Sequence, residues 1–121
     1  MELRIKKIQN AGDIRSEYIE LSANAPINLK NFIVSDSFYT HSEKDSKKHT
    51  FWFPELSVNP GTTIRLNTRK GINNLKLANL YWNLDEALWK EKFISAYLIR
   101  IDDYAPFPDT KGFLDTLFSS D

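Results

Sequence analysis

The amino-acid sequence predicts a mainly all-β fold, an antiparallel β-sandwich of about seven to nine short strands. Two observations carry this reading. Short runs of alternating apolar and polar residues recur along the chain, with Gly, Pro or Asn signals between them. Eight Phe, five Tyr and three Trp enrich the chain in side chains that suit pleated, half-buried surfaces. No internal repeat, heptad run or low-complexity segment competes with it.

The first strand is Leu3-Arg4-Ile5-Lys6-Lys7-Ile8, apolar at 3, 5 and 8, and it ends at Asn10-Ala11-Gly12-Asp13. Residues 17–22 form the second: Tyr18, Glu20 and Ser22 point one way, and Ile19 and Leu21 the other. Asn24-Ala25-Pro26 breaks the run, because proline fixes φ and removes a ladder donor. Residues 27–35 read as a third strand. The polar, charged stretch 37–48 reads as an exposed loop. A fourth strand, 49–53, is closed by Pro54, and Asn59-Pro60-Gly61 fits a type II turn with Pro at i+1 and Gly at i+2. Residues 62–66 make a fifth strand and 67–76 a polar loop, after which Leu77, Leu80, Tyr81 and Trp82 open another apolar stretch.

Residues 83–93 depart from the pattern and predict a short helix. Asn83 as N-cap and Glu86 three residues on match a capping box, Glu86 and Lys90 are an i,i+4 pair, and Leu84, Ala87 and Leu88 share a face. Residues 95–101 are the strongest late strand, 102–112 a turn region with Pro106 and Pro108, and 113–118 the last strand. The expectation is one domain over 1–121.

Sixteen Lys and Arg balance sixteen Asp and Glu. Residues 44–76 are locally basic through Lys44, Lys47, Lys48, Arg65, Arg69, Lys70 and Lys76, while residues 77–121 are locally acidic. There is no cysteine, which excludes disulfides, thiolate zinc sites and a thiol nucleophile. The N-terminal stretch lacks a signal peptide's apolar core, and no eighteen apolar residues run together, so the expectation is a cytoplasmic protein with no membrane partner.

The order of these motifs resembles the lamin tail domain family. Glu17-Tyr18-Ile19-Glu20-Leu21 with Asn24 is similar to that family's first signature strand. Leu29-Lys30-Asn31-Phe32 followed by Val34-Ser35-Asp36 is similar to its second, with Asn31-Phe32 in place of Gly-Trp. Phe51-Trp52-Phe53-Pro54, Pro60-Gly61, Trp82-Asn83, 98–102 and Leu114-Asp115 follow in the family's order. The resemblance covers nearly the whole chain and implies an immunoglobulin-like sandwich that serves as an interaction module, with no shared catalytic residues. The stretch 83–93 stands as an insertion, and the absence of heptads and of a lipidation box sets the chain apart from a lamin itself.

Candidate chemistry is sparse. Glu17 and Glu20, three apart on a strand, face opposite ways and cannot act as an acid/base pair; they read as scaffold. Asp36, Asp102 and Asp115 sit near strand ends, where Asp bonds turn amides. His41, Glu43, Asp45 and His49 do not have a zinc-site spacing, and Asp102-Asp103 with Asp109 lacks a calcium-loop pattern. No catalytic residue, metal ligand, cofactor or small-molecule substrate is assigned, and the expectation is a non-enzyme. Its leading role is to bind a protein partner, or a second copy of itself, through exposed aromatics: Trp52, Trp89 and Phe93. The alternative is a nucleic-acid-binding accessory domain using the seven basic residues of 44–76.

Overall fold

The computed structural model describes residues 1–36, 49–90 and 95–108. In chain order their strands are β1 (Leu3–Gln9), β2 (Tyr18–Ala23), β3 (Ile27–Asn28), β4 (Phe32–Ser35), β5 (Thr50–Trp52), β6 (Ser57–Val58), β7 (Thr63–Asn67), β8 (Asn79–Tyr81) and β9 (Tyr97–Arg100). They form an all-β sandwich. The first sheet runs β1-β2-β7-β8, the second β5-β4-β9, and β3 with β6 makes a two-stranded ribbon.

Pairing follows the alternation. Ile19 and Leu21 of β2 stand between Ile8 and Ile5 of β1 on one side and Leu66 and Ile64 of β7 on the other. With Leu3 and Leu80 they bury the inner face of the first sheet against Phe32, Val34 and Phe53. The spacing of Leu3, Ile5 and Ile8, two and then three, cannot keep one face of a regular strand. The β1–β2 register shifts between Ile5 and Lys7, and the extra residue, Lys6, returns Ile8 to the inner face. Pro60-Gly61 makes the expected type II turn: Gly61 has φ +87°, and the Thr62 N–H donates to the Asn59 carbonyl at 3.1 Å.

Several details differ from the sequence reading. The run 27–35 is interrupted by a 3₁₀ turn at Leu29–Asn31, which the Asn28 side chain caps by accepting from the Lys30 N–H at 3.1 Å. The same oxygen accepts from the Leu56 N–H at 3.1 Å, tying the turn to β6. The stretch after residue 77 supplies β8, which lies parallel to β7 in an otherwise antiparallel set of pairings. Residues 68–78 make this possible by carrying the chain back along the sheet edge before β8 begins.

The expected helix does not form over 83–90. Asn83 has φ +65°, left-handed where an N-cap must be extended, and its side chain accepts instead from the Gly71 N–H at 2.9 Å. The Leu84 N–H is taken by the Thr68 carbonyl at 2.9 Å, and those of Leu88 and Trp89 by a buried carboxylate. Glu86 and Lys90 still lie 4.0 Å apart, an ion pair without a helix. The rest of that prediction, the 37–48 loop and the 113–118 strand lie outside the described residues. No helix among the described residues is long and apolar enough to cross a membrane.

Candidate protein-binding face

Trp52 sits on β5, an edge strand of the second sheet, and 48 % of it is exposed. Alternation explains why. Phe51 turns inward, meeting Phe53 at 5.1 Å and Trp82 at 5.8 Å between ring centres, so its neighbour Trp52 must turn outward. The register then sets Trp52 beside Ile33 of β4, and Ile33 beside Ile99 of β9. An apolar row therefore crosses all three strands on the solvent side, with Ile33 and Ile99 half-buried. Tyr97 extends it one step along β9, and the exposed Tyr104 packs edge-on against Trp52 at 5.5 Å. The Trp52 indole N–H donates to the Lys30 carbonyl, which holds the ring in one orientation. An aromatic that is both exposed and pre-oriented binds with little ordering cost.

The other aromatics of the sequence reading fall elsewhere. Trp89 is buried, packed 6.2 Å from Trp82, and cannot be a surface anchor. It was expected on a second helix face; without the helix, its backbone N–H is drawn to Glu17 and its ring fills the core. Phe93 lies outside the described residues. A further apolar exposure carries no sequence signal beyond composition: Ile72, Leu75 and Leu77 project from the loop before β8, where the Asn74 side chain accepts from the Leu77 N–H and the Asn73 side chain from the Tyr81 N–H of β8.

Glu17 is fully buried and its carboxylate is saturated. Oε1 accepts from the N–H groups of Gly12 at 2.9 Å and Trp89 at 3.0 Å; Oε2 accepts from the Leu88 N–H at 2.9 Å and from the Thr68 hydroxyl. Four donors from three separate segments make this carboxylate a tie for the loops at the start of β2. Glu20 faces the opposite way, beside Lys7 and Arg65. Asp36 and His49 close the base of the 37–48 segment: the imidazole Nδ1 is 2.9 Å from one carboxylate oxygen and the His49 N–H donates to the other at 2.8 Å. Among the described residues no three His, Asp or Glu side chains converge as a metal site would require.

Of the seven basic residues expected to act together, four lie among the described residues. Lys44, Lys47 and Lys48 lie outside the described residues. Arg65 leaves the outer face of the first sheet with its guanidinium 3.9 Å above the Tyr18 ring. Arg69 donates to the Arg15 carbonyl at 3.0 Å and lies 5.5 Å from the Tyr81 ring. Lys70 pairs with Asp85 at 2.7 Å. That hydrogen bond first, and the charge attraction second, hold Asp85 below its ordinary pKa and Lys70 above its own. Lys76 stands on the exposed loop between Leu75 and Leu77.

Comparison with known proteins finds no family model that matches the chain, no similar curated protein and no similar solved structure.

Proposed function

We propose that the chain is a non-catalytic β-sandwich interaction module, of the lamin-tail kind, that binds another protein chain through the outer face of its second sheet. The observation carrying this reading is the apolar row Trp52–Ile33–Ile99, solvent-facing and in register across three strands, with Trp52 oriented from below by the Lys30 carbonyl. A rigid aromatic centre bordered by half-buried aliphatics and a second exposed ring is the composition of a binding hot spot. The saturated carboxylate of Glu17, sealed from solvent, supports a scaffold role for the acidic residue with most partners.

The test is sedimentation of the labelled chain, in a dilution series and in extract of the source cells. The wild type should sediment as a complex in one of the two. Trp52→Ser and Ile99→Lys should sediment as monomers, and Ile72→Ser, at an exposed apolar position outside the second sheet, as wild type. Identical sedimentation of all four would overturn the proposal.

A further inference from the structure

The chain is neutral as a whole, yet among the described residues a group of cations stands on the outer face of the first sheet. The β1–β2–β7 register places Arg4 beside Ser22, which faces Thr63, and Lys7 beside Glu20, which faces Arg65. Lys6, the extra residue of the bulge, adds a further exposed cation beside Lys7. Four cations thus surround Glu20, the sole carboxylate at an outward position of these strands among the described residues. Only this topology assembles them, because β1 and β7 are some sixty residues apart in the chain but flank the same strand.

Beside the cations, Arg65 lies flat over Tyr18, 3.9 Å from the ring centre, while remaining exposed itself. The ring supports one side of the guanidinium plane, and the other side is presented outward. Tyr81 continues the row beyond Tyr18, across the buried Asn67.

We infer that this face binds single-stranded nucleic acid, with Arg4, Lys6 and Lys7 contacting the phosphodiester backbone and the Arg65–Tyr18 stack carrying one base. Neighbouring strands lie about 4.8 Å apart, so cations on β1 and β7 are separated by about 10 Å, within reach of successive phosphates of one strand. The cations are interleaved with hydroxyl and amide side chains and with no aliphatic, which suits a polyanion lined with hydrogen-bond acceptors better than a lipid surface, where apolar side chains must insert. A flat sheet carrying a stacking plane takes splayed bases, whereas a duplex hides them. This face is opposite in chemistry to the Trp52 row, and the two stand or fall separately.

The experiment is a fluorescence-anisotropy titration of the full chain with a labelled single-stranded oligonucleotide of about twelve nucleotides, a length such surfaces occupy. With about three phosphates neutralised, affinity should fall by roughly tenfold to twentyfold between 50 and 200 mM salt. Lys6→Ala/Lys7→Ala, both at exposed positions, should weaken binding and flatten that dependence. Arg65→Lys keeps the charge and removes the plane, so it should lose roughly fivefold or more for the oligonucleotide and nothing for an abasic strand of equal length. Trp52→Ser should bind as wild type. The inference is overturned by absence of binding at 50 mM salt. It is equally overturned if the Lys6/Lys7 and Arg65 variants bind unchanged, or if abasic strand, duplex and polyglutamate compete as well as the oligonucleotide.

Discussion

The Glu17 side chain reaches across seventy-two positions of sequence to accept a hydrogen bond from the backbone N–H of Trp89, at 3.0 Å. With the parallel bond to the Leu88 N–H and those from Gly12 and Thr68, it binds three loops to the residue that leads into β2. A carboxylate serves where an amide could not, because all four groups that approach it are donors.

Glu17→Gln turns an NH₂ group toward donors and leaves at least one buried amide unpaired. It should cost about 3 kcal/mol of stability, read as a lowered urea midpoint. Glu20→Gln, on the exposed face, should change stability by less than about 0.5 kcal/mol.

Lys6 tests the bulge. Lys6→Ala should be close to neutral, since the side chain is exposed. Deleting Lys6 removes the unpaired residue, leaves Leu3, Ile5 and Ile8 evenly spaced opposite the same β2 partners, and should cost little in thermal unfolding, whereas deleting Arg4 puts Leu3 on the solvent face and should cost about 2 kcal/mol.

The two turn glycines should respond for different reasons. A Cβ on Gly71 would lie 2.3 Å from the Tyr81 ring, so Gly71→Ala must displace that ring and should cost about 1–3 kcal/mol. A Cβ on Gly61 meets nothing within 4 Å, and the cost of Gly61→Ala comes only from its φ of +87°, about 1 kcal/mol. Tyr81 ring signals should move in the first variant and stay in the second.

The Lys70–Asp85 pair gives a pH signature. Because the folded pKa of Asp85 is lowered, its contribution is present above the unfolded carboxylate range and is lost as pH falls through the folded pKa. The raised pKa of Lys70 makes its contribution present below the unfolded lysine range and lost as pH rises through the folded value. An NMR titration should find the Asp85 carboxyl below the ordinary range in the wild type and back within it in Lys70→Met. Both groups are exposed, so salt should narrow the difference.

What could be read from sequence was local. Alternation at Tyr18–Leu21, the Pro60-Gly61 turn and the Phe51–Pro54 edge are specified by neighbours within a few residues, and each stands where the pattern put it. The capping box at Asn83 was equally well formed and failed, because the Gly71 N–H takes the capping side chain and Thr68 and Glu17 take the backbone N–H groups, from 12 to 72 residues away. Trp89 went into the core for the same reason. Arg4, Lys6 and Lys7 were invisible as partners of Arg65, since charge counted along the chain does not report which strands become neighbours. Trp52 was legible: its flanking phenylalanines had to share a face, and the core took them.

The most direct test of the account is hydroxyl-radical footprinting of Trp52 in the presence and absence of the macromolecular fraction of source-cell extract. The account predicts that Trp52 and Tyr104 are protected together in that fraction, while the exposed Ile72 and Leu77 are oxidised as fast as in the isolated chain. Oxidation of Trp52 at the same rate in both conditions would contradict it.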